Sequence, residues 1–536
     1  MELERLQEHW SKKVNWQIVV GQWEEIWSSR SFFNHLMSRP NILFCIADDA
    51  GMHFGAYGCP WVDTPAFDRV AREGILFQNT FTPNAKCAPS RACILTGRNS
   101  WQLEEACNHM PYFPAKFKTY AETLSENGYH VGVTNKGWAP GDPGTINGQP
   151  RKLCGTPYDT HLCESPTNCT SSNDYTANFK SFLEDRDGDQ PFCFWYGAQE
   201  PHRPYEYEAG FKRGTKRLED IDEVYDIWPD NEIVRKDLLD YGYEIEYFDK
   251  HLGQILDLLE EKGELDNTLV VVTSDNGMPF PTIKGQEYYY SNHLPLAVMW
   301  PDGIQSPGRS IDDFVNFIDF TPTFLEITET DGEAAGMQPI TGRSLTEFFN
   351  TDAEGTISPD RDHHLMGKER HDIGRPNDWG YPIRGIIKDG YLYLRNFEPT
   401  RWPAGNPETG YLNCDGSPTK TEILKCRGNP DTQHFWDWAF GKRPFEQMYD
   451  YTKDPACITN IANEPAYRAR KEAMRDQLFA KLAEQGDPRM FGNGDVFEKY
   501  PCANPDVANF YERFMAGERM PTFWVNDSDY ESEPLD

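Results

Sequence analysis

The sequence predicts an α/β fold: a large, mostly parallel sheet flanked by helices, followed by a smaller C-terminal α+β subdomain. Three observations carry this. Short, continuously apolar runs read as strands buried on both faces. Segments of helical period alternate with them up to about residue 350. Beyond that point the texture changes to hairpin-like pairs and an isolated helix.

Taken in order, Asn41-Ile42-Leu43-Phe44-Cys45-Ile46 is the first strand, and a helix follows over Pro65 to Glu73. A helix near Thr119 to Asn127 leads into a strand over Tyr129 to Thr134, and Phe192 to Gly197 is a third buried strand. From Val234 to Lys262 runs a long helix: Ile245, Phe248, Leu252, Ile255, Leu256 and Leu259 recur at helical spacing, and Gly263 follows its end. Thr268 to Thr273 and Leu294 to Trp300 are strands, and Asp319 to Ile327 is helical. Tyr381 to Ile387 and Tyr391 to Asn396 flank Lys388-Asp389-Gly390, a hairpin turn. A last helix is expected near Tyr467 to Gln485. The organisation that follows is an N-terminal extension over 1–38, with Trp16, Trp23 and Trp27 on an amphipathic helix, and an α/β domain over 39–355. A subdomain with a small antiparallel sheet covers 356–505, and a tail covers 506–536, its acidic end from Asp527 read as disordered.

The 536 residues suffice for one large domain and a smaller one. A net charge of −33 argues against nucleic acid or an acidic membrane as partner, and an anionic substrate would need a local basic pocket. No run of 18 apolar residues occurs, so no membrane span is expected. The N-terminus does not read as a signal peptide, because Asn15, Gln17, Gly21 and Gln22 break the apolar run after Lys12 and Lys13. Of the 13 cysteines, Cys163 with Cys169 and Cys414 with Cys426 are candidate pairs, while Cys45 and Cys193 read as buried thiols. The absence of any CxxC argues against a zinc ribbon. Cysteine usage leans towards an exported protein.

Ligands of open parallel sheets bind outside the C-terminal ends of the strands. Asp48 and Asp49 follow the first strand, Asn135 and Lys136 the second, and Glu200, His202 and Arg203 the third. Asp275 and Asn276, then Lys284, follow the strand that begins at Thr268. Paired carboxylates with a distant Asp-Asn are hard oxygen ligands that suit Ca2+ or Mg2+. Taken singly, Asp48-Asp49 also reads as a cap and Asp275-Asn276-Gly277 as a turn. The segment from Cys87 to Arg98 reads Cys-Ala-Pro-Ser-Arg-Ala-Cys-Ile-Leu-Thr-Gly-Arg. Pro89 suits a helix start and Gly97 its end, which puts Cys87 at a helix N-terminus, with Arg91 one turn on.

This string resembles the signature of the type I, formylglycine-dependent sulfatases, Cys-x-Pro-Ser-Arg-x-x-x-(Leu/Met)-Thr-Gly. The resemblance runs from residue 40 to about 500 and, within the family, is to the heparan N-sulfatase (sulfamidase)-like branch. Supporting strings are Ala47-Asp48-Asp49, Pro201-His202-Arg203, Thr273-Ser274-Asp275-Asn276-Gly277, Thr341-Gly342-Arg343-Ser344-Leu345 and Tyr381-Pro382-Ile383-Arg384. It implies an alkaline-phosphatase-like fold and hydrolysis of the sulfate of a sulfated oligo- or polysaccharide. It further implies a separate maturation enzyme that oxidises Cys87 to formylglycine, whose hydrated form attacks sulfur. Asp48, Asp49, Asp275 and Asn276 would hold calcium (magnesium in second place) together with the modified residue 87, and Asp275 would accept the nucleophile's proton. Arg91 and Lys136 would orient the nucleophile, Lys284 would hold a sulfate oxygen, and His202 would meet the leaving group.

Two departures stand out. The family's Lys-x-His reads Lys136-Gly137-Trp138 here, so Trp138 replaces a histidine and either lines the sugar site or packs. Lys284 stands where sulfamidase has arginine. Candidates for the sugar-binding rim are Trp138, Glu104, His109, Arg370, His371, Asp372, Trp379 and Arg384. The alternative functions are a phosphate or phosphonate ester hydrolase of the same superfold and a catalytically silent protein that binds sulfated glycan.

Overall fold

The structure is a computed structural model that describes residues 39–522, 524–531 and 535. The amphipathic helix expected within 1–38 lies outside them. In chain order the strands are β1 (Asn41–Ala47), β2 (Ile75–Phe81), β3 (His130–Asn135), β4 (Thr145–Ile146), β5 (Gln149–Pro150), β6 (Thr156–Pro157) and β7 (Phe192–Gly197). They continue with β8 (Thr268–Ser274), β9 (Leu296–Met299), β10 (Arg309–Asn316), β11 (His363–Lys368), β12 (Ile383–Lys388), β13 (Tyr391–Asn396) and β14 (Glu446–Asp450).

Eight strands form the main sheet in the order β10-β2-β9-β8-β1-β7-β3-β6. All neighbours run parallel except β9, which is antiparallel to both β2 and β8. The continuously apolar reading of β1 has a simple cause. Leu43, Cys45 and Ala47 enter the core on one face, and Ile42, Phe44 and Ile46 enter the core on the other. The helix Glu232–Glu261 covers the first face with Ile245, Phe248, Leu252 and Ile255. The helices Cys87–Thr96 and Phe320–Ile327 cover the second. Strands β2 and β10 went unread because they alternate buried and half-buried residues instead of running apolar.

The smaller sheet is antiparallel, β11-β12-β13-β14, and the helix Arg468–Glu484 packs on it through Met474, Leu478 and Leu482. The expected hairpin joins β12 to β13: Lys388 pairs with Tyr391 across Asp389 and Gly390, whose φ angles are 50° and 82°. A two-residue turn with both φ positive is the type I′ geometry that Asp-Gly favours.

Two expectations are corrected. The cysteines are all free among the described residues. Cys163 lies against the Tyr247 hydroxyl and Cys426 donates to the Glu422 carbonyl, so each thiol has a local partner other than the expected one. Within the acidic end read as disordered, Asp529 makes a fully buried ion pair with Lys420 at 3.0 Å. Cys45 and Cys193 are buried thiols as expected. No helix among the described residues is long and apolar enough to cross a membrane.

Candidate active site

The C-terminal ends of β1, β8, β3 and β7 bring their following residues to one cleft edge, and the helix Cys87–Thr96 points its N-terminus at the same place. Asp48 and Asp49 leave β1, and Asp275 and Asn276 leave β8, its parallel neighbour. The two turns are tied together. The Asp49 N–H donates to Asp275 Oδ1 at 3.0 Å, and Asn276 Nδ2 donates to Asp49 Oδ1 at 2.8 Å. Cys87 Sγ lies 3.5 Å from Asp48 Oδ1 and 3.8 Å from Asp49 Oδ1. All of these side chains are buried.

Cations surround the acids. Arg91 Nε donates to Asp275 Oδ2 at 2.8 Å, and its NH1 group holds the carbonyls of Lys136 and Gly137. Lys136 pairs with Asp48 Oδ2. Lys284 Nζ reaches Asp49 Oδ2 at 2.6 Å and Asp415 Oδ2 at 2.9 Å. His202 Nε2 stands 3.7 Å from Asp49 Oδ2, while its Nδ1 lies 2.6 Å from the Arg203 carbonyl. A carbonyl can only accept, so Nδ1 carries the proton and Nε2 faces the acids. Arg203 fixes the loop by a bidentate pair with Asp237, 2.8 Å on each arm.

The electrostatics follow from this crowding. Burial alone would raise Asp48, but Lys136, His202 and Arg91 hold it at about 2. Burial would lower Lys284, yet Asp415 and Asp49 keep it well above the ordinary lysine value. Burial pushes the Cys87 thiol well up, with Asp48 and Asp275 adding to it, so the thiol is protonated at neutral pH and a poor nucleophile as it stands. Asp48, Asp49 and Asp275 each offer an oxygen, all within 4.8 Å of one another, and Asn276 Oδ1 is buried without a hydrogen-bond partner. A compact set of hard oxygen donors with one orphaned acceptor fits a calcium ion.

The cleft encloses about 380 Å³. Cys87, Lys136, His202 and Lys284 line it, as do His109 and Asp372 from the rim candidates. Asp372 pairs with Lys86 and with His109 Nδ1, each at 2.7 Å. The other rim candidates do not line it. Trp138 packs edge-on against Phe113 and donates to the Ala88 carbonyl, so of its two readings packing holds. Glu104 pairs with Lys116 at 2.5 Å on the surface. Arg370 is turned onto the carbonyls of Tyr500 and Pro501, and His371 onto Asn84 Oδ1. Trp379 stacks under Arg401 on the surface. Arg384 is locked between Asp487 and Glu369, 2.7 Å from each, inside the small subdomain. Of the rim candidates in the C-terminal subdomain, Asp372 alone, between β11 and β12, lines the cleft. Lys86, Asp415 and Trp524 line the cleft and went unnoticed. Lys86 had a signal, adjacency to Cys87; Asp415 and Trp524 had none.

Known proteins bear on this arrangement. A family model described as Sulfatase matches residues 40–330. The N-sulphoglucosamine sulphohydrolase of Homo sapiens is 27% identical over 500 residues, covering 86% of this chain and 94% of its own. An ulvan-active sulfatase of Formosa agariphila is 28% identical over 470 residues, covering 84% and 82%. A solved structure in complex with its substrate, D-glucosamine-2-N,6-O-disulfate, superposes with a TM-score of 0.59 at 21% identity, covering 86% of this chain and 100% of that one.

Proposed function

The chain belongs to the sulfatase family, and from that premise we propose that it removes sulfate from a sulfated oligo- or polysaccharide, using a formylglycine made from Cys87 and a calcium ion held beside it. The observation that carries this is the place of Cys87 Sγ, 3.5 Å from Asp48 Oδ1 and 3.8 Å from Asp49 Oδ1, in a cleft that Lys136 and Lys284 also line. A buried, protonated thiol does no obvious work there. An oxygen nucleophile at the same point would have acids to orient it and cations to receive an anion. A separate maturation enzyme would make that conversion, and an exported location would suit a polymeric substrate.

Asp48, Asp49, Asp275 and Asn276 would hold the calcium, which supplies Lewis acidity towards a sulfate oxygen and the nucleophile. The remaining steps belong to the chain's own groups. Lys284 enters as a paired cation and turns towards a sulfate oxygen as charge develops, while Lys136, paired with Asp48, orients the nucleophile at residue 87. Arg91 holds Asp275 in place through Nε and pins the Lys136–Gly137 backbone, so the Lys136 side chain starts from a fixed stem. His202, with Nδ1–H committed to the Arg203 carbonyl, presents Nε2, which in the imidazolium form gives its proton to the leaving oxygen or nitrogen and leaves the ring neutral. Trp138 carries no titratable group, so proton delivery at the site of the family's second histidine is absent and His202 takes the larger share.

The test is sulfate release from defined heparan, ulvan and fucoidan fragments, with phosphate and phosphonate esters alongside, before and after calcium chelation. Calcium-dependent release from a sugar sulfate is expected, with the corresponding phosphate ester turned over far more slowly. Turnover of aryl sulfates alone would remove the carbohydrate assignment. A faster phosphate reaction would favour the sister chemistry, and no turnover by material converted at residue 87 would leave a silent glycan binder.

A further inference from the structure

The wall of the cleft carries a carboxylate that the sulfate chemistry does not call for. Asp415 lies on the loop that leads into the helix Pro418–Lys425 and is 8% exposed. Lys284 Nζ, at 2.9 Å from Oδ2, is its only side-chain hydrogen-bond donor among the described residues. An oxygen of Asp415 lies within 4.8 Å of a His202 ring nitrogen and of an Asp49 oxygen. Asp415 therefore stands at the leaving-group side, next to His202. Burial acts against its charge, but Lys284, Lys86 and His202 hold it ionised, well below the usual carboxylate range.

An ionised carboxylate repels an incoming sulfate, so its position calls for a compensating contact. A second metal is not that contact. Lys284 Nζ already stands between Asp49 Oδ2 at 2.6 Å and Asp415 Oδ2 at 2.9 Å, where a cation shared with His202 would sit. Lys284 meets the charge through Oδ2, but the other oxygen receives no side-chain hydrogen bond among the described residues, and a hydrogen-bond donor on the substrate can meet it in the cleft. Asp415 also lies outside residues 40–330, the part matched by the family model, as expected of a residue concerned with the sugar more than with the sulfate.

We propose that Asp415 is a specificity-determining residue: its second oxygen accepts a hydrogen bond from a hydroxyl or N–H that the sugar bears beside the transferred sulfate. This rests on the reading of the substrate as a sulfated sugar. It explains why the acid is paired with Lys284. The lysine holds the sulfate oxygen, the carboxylate holds the neighbouring donor, and the pair reads both groups at a fixed separation. Asp415 touches the sugar and not the reacting sulfur.

The experiment is a cycle between enzyme and substrate. Wild type, Asp415→Ala and Asp415→Asn are assayed on the sulfated monosaccharide that wild type turns over best. The same enzymes are assayed on analogues in which the neighbouring hydroxyl is replaced by hydrogen or the N–H is methylated. Loss of the donor should lower wild-type kcat/KM about 10- to 100-fold, the size of a hydrogen bond to a charged group. In Asp415→Ala the same loss should be below about threefold, because nothing remains to be lost. The analogue that shows the effect identifies the donor as hydroxyl or N–H. Asp415→Asn keeps the shape and should fall between, so a poorly folding Ala variant does not end the test. Equal donor sensitivity in all three enzymes would overturn the proposal and leave Asp415 as a support for Lys284. Wild type inactive on every sugar sulfate would sink the functional reading itself, a separate result.

Discussion

The floor of the cleft and its wall are built on different plans. The floor consists of residues that leave parallel strands or begin one helix: Asp48 and Asp49, Cys87, Lys136, His202, Asp275 and Asn276. Each sits within a few residues of an element whose geometry is fixed by the main sheet. The wall comes from irregular chain, His109, Asp372, Asp415, Asn504 and Trp524, together with Lys86, the N-cap of the Cys87–Thr96 helix. All but Lys86 and His109 lie beyond the residues matched by the family model. Under the proposed function, the difference would put the reaction on residues anchored to the main sheet and the choice of substrate on residues carried by loops.

The comparison breaks most sharply at Cys87. Cys87→Ala should lower kcat/KM on any sulfate ester by on the order of 10⁴-fold or more, with the thermal midpoint little changed. Retained activity in that variant would mean that the floor is not where the reaction occurs.

The next test is at Arg384, which resembles a wall residue in sequence but is a structural one in space. Arg384→Ala leaves Asp487 buried and Glu369 with only Arg489, and should cost about 3–5 kcal/mol of stability in urea unfolding. KM of the folded fraction should stay within about twofold of wild type. A large rise in KM at unchanged stability would return Arg384 to the wall.

A smaller effect tests the seam between the two sheets. His364, on β11, donates from Nε2 to the Thr82 carbonyl just past β2 at 3.0 Å, and burial lowers it to about 3. Its folded value lies below its unfolded value of about 6.5, so the unfolded chain binds the proton first as pH falls. The stability held by the neutral ring is complete above about pH 6.5 and is lost as pH falls from there towards 3. The urea-unfolding gap between wild type and His364→Asn should therefore narrow between pH 7 and pH 4, by about 3 kcal/mol. A gap that is constant with pH would mean that the ring is not buried neutral.

The smallest effect is expected at Glu104. It pairs with Lys116 in solvent and lines no part of the cleft, so Glu104→Ala should change kcat/KM by less than about twofold. A tenfold change would move the edge of the wall.

The sequence was legible where a residue's neighbours in space are also its neighbours along the chain. Strand β1 declares itself because both of its faces are buried, and Asp48-Asp49 follow it directly. Cys87 is readable because Pro89, Arg91 and Gly97 lie within one short helix. Strands β2 and β10 were missed because an alternating pattern near the sheet edge resembles loop. Arg384 was misread because Tyr-Pro-Ile-Arg says nothing of Asp487, whose acid lies about 100 residues on and takes up its guanidinium.

By itself, then, the order of amino acids determined the sheet-and-helix plan, the acids at the strand ends and the sulfur at the head of its helix. These depend on periodicity and on contacts one or two turns away. Only the tertiary structure decided that Asp415 meets Lys284, that Asp372 holds Lys86 and His109, and that Trp138 turns inward to pack. The physical reason is that an ion pair between distant segments has no local signature. Its partners are chosen by where two loops come to rest, and that is set by the packing of the whole core.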